Sequence, residues 1–210
     1  MPAAGASRRV VLTGLLAGAA TLALPTPRAR TQEAAAAVVS AFHEGLLDVM
    51  RNADTLGFAG RVEVLTPLVS RTFDHATMTR VACGQAWQTI DAPLRDRLIE
   101  AFRTYSVASY AANFDDYSGQ SFETLGIEPA RGGRVRVEAR LVRAAGRGEP
   151  VAFDYTLREA DLGWQAIDVV VDDRLSELAR RRAEFTALLE RGGPSELLAA
   201  LEAQTLALAS

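Results

Sequence analysis

An α+β fold, with helices first, an antiparallel sheet next and helices last, is what this 210-residue sequence predicts. Three observations carry the prediction. Apolar residues recur at helical spacing up to about Phe114, switch to strict alternation after Gly119, and return to helical spacing from Leu175.

The elements follow in order. Val38, Phe42, Leu46, Val49 and Met50 repeat at three and four and predict an amphipathic helix over residues 34–52. A second helix is expected over about 60–70, bent or broken near Pro67, because proline removes a backbone donor and clashes with the preceding turn. Asp74 is the expected N-cap of a short helix in which Met78 and Val81 share a face, and Gly84 is its expected stop. Asp91-Ala92-Pro93 opens a long helix running to about Phe114, with Leu94, Leu98, Phe102 and Tyr105 as its apolar stripe.

The segment Arg134-Val135-Arg136-Val137-Glu138-Ala139-Arg140-Leu141 alternates charged and apolar residues without a miss, and Val151, Phe153, Tyr155 and Leu157 repeat the pattern. Glycine-bearing turns at Arg131-Gly132-Gly133, Ala145-Gly146-Arg147-Gly148 and Asp161-Leu162-Gly163 join these runs to outer strands at 120–129 and 164–172, giving a four-stranded meander. The arginines of 134–140 mark a wet face. Val135, Val137, Ala139, Leu141, Phe153 and Tyr155 therefore face the helices. A final helical stretch carries Leu178, Phe185 and Leu189 on one side, stops at Gly192-Gly193 and is followed by a short helix from Pro194.

The ends and the composition bound the function. Ser7-Arg8-Arg9 followed by an apolar run from Val10 to Leu24, then Pro25-Thr26-Pro27, has the layout of an export signal, so residues 1–30 are expected to be removed by the Tat or Sec route. The run is too short for a spanning helix, which needs about twenty apolar residues. Cys83 is the single cysteine, which leaves no disulfide framework and no thiol near the signal for a lipid anchor. All 23 basic residues are arginine; loss of Arg8, Arg9 and Arg28 takes the formal charge from −3 to −6, and Arg30, also within residues 1–30, takes it to −7. An acidic domain is a poor match for phosphate backbones, and nucleic acid is excluded as a partner. Residues 31–206 then form one domain in the exported, periplasmic product.

The interior of such a domain can be a solid core or a lined cavity, and periodicity leaves both open. The spacing of Phe73-Asp74, Met78, Arg80, Gly84 and Trp87 resembles the F-D-x-x-x-M-x-R-x-x-x-G-x-x-W signature of the MlaC-type, or toluene-tolerance, family of exported lipid-binding proteins. The segment "LRDRLIEAFRTYSVASYAANFDDYSGQSFE" is most similar to the hopanoid-associated HpnM branch, and the resemblance continues through Tyr155, Gly163-Trp164, Ile167-Asp168-Val169 and the Arg182 to Phe185 stretch. Asp172-Asp173-Arg174-Leu175-Ser176 departs from the glycine-serine pair and Asn-Tyr-Arg run that many MlaC-type chains carry there.

The resemblance implies a cone-like, NTF2- or cystatin-like pocket that holds a membrane lipid, a hopanoid or a phospholipid. It also implies transport components in the donor and acceptor membranes as partners, and no cofactor or metal. The implied lipid-facing residues are Phe73, Met78, Val81 and Trp87 in the motif, and Phe102 and Tyr105 on the long helix. Tyr110, Phe114, Tyr117 and Phe122 stand at the helix-to-sheet corner, and Val137, Leu141, Phe153, Tyr155 and Trp164 on the sheet. Each of these also reads as ordinary packing, Trp87 and Trp164 most readily. Arg80 is a candidate for a headgroup or for an ion pair with Asp74. Arg180-Arg181-Arg182 point about 100° apart on a helix and read as a solvated face.

An enzyme is the competing reading, with Asp154, Tyr155 or Asp168 as acid–base candidates in an apolar cone. The chain offers only His43 and His75, no closely spaced metal ligands, no cysteine–histidine pairing and no Gly-x-Ser-x-Gly elbow, and the expectation is that it is not an enzyme.

Overall fold

The computed structural model describes residues 27–144, 148–172, 174 and 176–209. The expected signal, but for residues 27–30, and most of the turn at 145–148 lie outside the described residues. Five helices and one sheet are seen among them: α1 (Pro27–Arg51), α2 (Ala53–Thr72), α3 (His75–Cys83), α4 (Ala92–Asn113), β1 (Ser121–Ala130), β2 (Arg134–Val142), β3 (Val151–Ala160), β4 (Gly163–Val171) and α5 (Glu177–Leu208), with a 3-10 turn at Gly84–Thr89. The sheet order is β1-β2-β3-β4, antiparallel throughout, as the alternating runs predict.

The caps explain where the helices begin. Asp74 accepts from the Thr77 amide at 2.9 Å and Asp91 from the Leu94 amide at 2.9 Å, each satisfying a first-turn donor that has no intrahelical partner. Three elements differ from expectation: the first helix begins at Pro27 instead of residue 34. The second helix starts at Ala53 and runs through Pro67; its non-helical residue is Gly57, whose φ of 57° and ψ of −177° favour glycine. The last two helices are one element, α5, kinked at Gly192 and at Gly193, where φ is 70°.

One face of the sheet is charged and the other is packed. On the outer face Arg136 pairs with Glu138, with Glu128 at 3.4 Å and with Asp154 at 3.9 Å, while Arg140 pairs with Glu123 at 2.7 Å. On the inner face Val135, Val137, Ala139, Tyr155 and Leu157 are buried. Helix α1 packs on β1, β2 and β4 through Ala35, Val39, Phe42, Leu46 and Val49, and α4 packs against α2 and α5. The junction between α2 and α3 is tied to β4: Asp74 N donates to Ala166 O at 3.0 Å, and the Gln165 amide donates to the Ser70, Arg71 and Phe73 carbonyls that end α2. Phe73 and the start of α3 are thereby fixed over the sheet.

Candidate functional site

The interior is solid in one half and hollow in the other. Under α1 the packing is continuous. His43 and Tyr155 are buried there, with His43 Nε2 3.0 Å from the Tyr155 hydroxyl and the imidazole stacked on Phe122 at a ring separation of 3.9 Å. Toward the β2–β3 end of the sheet, α4 and the start of α5 stand away from the strands and leave a cavity of about 580 Å³.

The cavity wall is assembled from almost every element. Its apolar wall is aromatic and aliphatic: Phe73, Met78 and Phe102 from the helices, with Leu141, Val151, Phe153 and Val169 from the strand ends and the exposed Val171 beside them. Tyr110 lines the cavity too, edge-on to Phe42 at 5.1 Å and stacked on Phe73 at 5.7 Å, and Phe114 follows it at 5.8 Å. Burial pushes the Tyr110 phenol well above its ordinary range, so the hydroxyl stays protonated. The mouth carries Asn113, Asp115, Asp116, Gln120, Arg143, Glu177 and Arg180.

One side of the wall is polar because of Arg181. This residue is 2% exposed, and its guanidinium donates to Glu177 at 3.0 Å, Glu184 at 2.8 Å and the Tyr105 hydroxyl at 2.7 Å. It also lies 4.3 Å from the Tyr105 ring centroid, a cation–π contact. Burial would raise the Glu177 carboxyl, but its bonds to Arg180 and Arg181 outweigh that and hold it below the usual range. The expected solvated arginine face is therefore corrected: Arg180 and Arg182 are exposed, whereas Arg181 is an interior cation whose charge is met on every side.

The predicted residues divide as follows. Phe73, Met78, Phe102, Tyr105, Tyr110, Phe114, Leu141 and Phe153 stand on the cavity wall. Phe122, Val137 and Tyr155 lie in the solid half, Phe122 one ring behind Phe114 at 6.5 Å. Trp87 is buried under Arg95, whose guanidinium sits 5.2 Å from its ring, Val81 is half-buried in the last turn of α3, and Trp164 packs on the core at the far end of β4. Tyr117 is 38% exposed beneath Arg51 on the outside of the molecule. Arg80 is exposed, and the partner of Asp74 is Arg158, at 2.9 Å, brought from β3 by the fold.

The acid–base candidates do not converge. Asp154 faces the outer charge ladder, Tyr155 bonds His43, and Asp168 accepts from the Val169 and Leu178 amides at 2.8 and 3.0 Å, holding the entry to α5. No group of three or more residues suited to a metal ion occurs among the described residues.

Sequence reasoning did not single out Met50, His75, Ser106, Ser109 or the strand-end valines for the wall. Ser106, Ser109 and Asn113 repeat at three and four on α4, a polar stripe beside the apolar one, which is the signal that could have found them.

An α+β domain whose helices leave one end of the sheet uncovered around an apolar chamber is a cavity protein. The chain belongs to the MlaC family, which it matches over residues 40–203. Among solved structures it is similar to the phospholipid-binding protein from Ralstonia solanacearum, determined in complex with a phospholipid, with a TM-score of 0.71 and 18% identity over 86% of this chain and 99% of that one. At that identity the likeness is one of fold. Comparison with curated proteins gives no match.

Proposed function

We propose that this protein is a lipid carrier of the periplasm, exported by residues 1–30 and acting through residues 31–206, which takes a membrane lipid into the cavity and passes it between the inner and outer membranes. The observation that carries the reading is the chamber of about 580 Å³ with an aromatic wall and a charged mouth. Its size falls within the roughly 300–1,000 Å³ of sites that enclose small ligands. Family membership and the fold of a structure holding a phospholipid support it.

The physics of transfer calls for such a chamber. At about 0.8 kcal/mol per CH₂, a chain of about sixteen carbons costs roughly 13 kcal/mol to hold in water, so a carrier must enclose the tail for the crossing. Aromatic rings suit the task because they offer rigid apolar area with little rotamer entropy to lose. The headgroup would remain among Asn113, Asp115, Asp116, Gln120, Arg143 and Arg180 at the mouth, in contact with water. The lipid is a phospholipid or a hopanoid, the second following the HpnM resemblance of the α4–β1 stretch, and membrane transport components would load and unload it.

The test has two stages. Protein purified without detergent from the native periplasm is extracted with organic solvent and its lipids identified by mass spectrometry. It is then mixed with lipid-labelled donor vesicles and unlabelled acceptors. A stoichiometric lipid and accelerated transfer are expected; a clean extract would remove the carrier reading.

A further inference from the structure

Two polar side chains stand on the apolar wall of the cavity with hydrogen-bonding capacity unspent. His75, the first residue of α3, is 5% exposed and lines the cavity, flanked by Phe73 at 6.0 Å and Phe102 at 5.7 Å between ring centroids. One of its nitrogens is served by the Phe73 backbone. No partner for the other is found among the described residues. Tyr110, stacked on the Phe73 ring at 5.7 Å, also lines the cavity, and its hydroxyl likewise has no hydrogen-bond partner among the described residues.

Other polar groups nearby are met by the protein. Tyr105 is bonded by Arg181, Tyr155 by His43, Ser106 bonds the Phe102 carbonyl and Gln165 closes the end of α2. Arg95 Nε is the buried side-chain atom left without a partner among the described residues; the free atoms of His75 and Tyr110 open instead onto the chamber, where whatever fills it meets them. A saturated acyl chain laid over both would leave them without hydrogen bonds, and displacing solvent by a group that cannot replace its bonds loses affinity.

We infer that the ligand carries a hydroxyl within its apolar body, seated at the apolar wall between His75 and Tyr110. A hydroxyl both donates and accepts, so it can give its proton to the free imidazole nitrogen or take one from the phenol. Both protein groups are neutral at physiological pH, since burial lowers His75 to about 4 and raises Tyr110 far above its ordinary range. An uncharged partner suits them better than a phosphate or a carboxylate. The inference rests on the carrier reading and adds the class of lipid: one hydroxylated along its chain or ring body, and not only at its headgroup.

The experiment compares stearate with 3-, 10- and 12-hydroxystearate as competitors of a fluorescent stearate bound to the lipid-depleted, full-length mature protein. At least one hydroxylated isomer should compete about tenfold better than stearate, the worth of one hydrogen bond made in place of none. In Tyr110→Phe, which keeps the ring and its packing, or in His75→Phe, that ratio should fall toward one. Equal competition by all four acids in the unaltered protein, or a ratio that survives both substitutions, would overturn the inference while leaving a lipid cavity in place. Failure of every acid to compete would remove the cavity reading and this inference together.

Discussion

The imidazole of His43 on α1 and the hydroxyl of Tyr155 on β3 meet at 3.0 Å in the solid half of the interior, 112 residues apart in sequence. The contact fastens the first helix to the middle of the sheet, and it explains why Tyr155, an inward residue of an alternating strand, is not on the cavity wall. Replacing Tyr155 by Phe keeps the ring but leaves a buried imidazole nitrogen unpaired. The expected loss is about 1–3 kcal/mol in denaturant unfolding, with the lipid content of the purified protein unchanged.

Both histidines make stability depend on pH. Burial lowers His43 and His75 from 6.5 to about 4, so the unfolded chain takes up protons at a pH where the folded chain does not. The stabilisation is whole above about pH 6.5 and declines as pH falls toward 4, at up to roughly 1.4 kcal/mol per unit for each histidine. Thermal melts between pH 7.5 and 5 should show a falling melting temperature. His43→Leu should flatten that slope whatever its effect on the absolute value.

Arg181 should be the most sensitive of the three adjacent arginines. Its removal takes the interior cation from Glu177, Glu184 and Tyr105, leaving Glu177 with Arg180 and Glu184 with Gln204, and Arg181→Ala is expected to cost about 2–3 kcal/mol, the loss of charged hydrogen bonds. Arg182→Ala, on an exposed residue, should stay within about 0.5 kcal/mol. Equal effects in a denaturation series would contradict the buried network.

Asp74 joins two roles, capping α3 at Thr77 and pairing with Arg158. Asp74→Ala should lose about 1–2 kcal/mol, whereas Arg80→Ala should be close to neutral. A stability loss at Arg80 equal to that at Asp74 would restore the pairing that sequence proximity suggests.

Much of the fold was legible because it is written in local pattern. The alternation of 134–141 dictates which side chains face inward, the glycine turns set the meander, and Asp74 and Asp91 announce their helices. The cavity was legible only in part. Phe73, Tyr110 and Phe153 lie on its wall, but whether an inward residue meets a chamber or a packed neighbour depends on where α4 and α5 stand off the sheet, and no periodicity encodes that separation. This is why Val137 and Phe153, both inward, lie in different halves. Arg181 was illegible for a related reason: an arginine run looks solvated until Glu177, Glu184 and Tyr105 are seen closing around one of its members.

The most direct measurement of the central claim is the molar ratio of lipid to protein in organic extracts of the native protein and two single variants prepared alike. Phe153→Asp places a carboxylate on the cavity wall, and Arg136→Asp changes charge on the outer face of the same sheet. A lipid-filled chamber predicts a ratio near one in the native protein, retained in Arg136→Asp and largely lost in Phe153→Asp while that variant stays folded by circular dichroism. A native protein that yields no lipid, or a folded Phe153→Asp that carries as much as the native protein, would contradict the account.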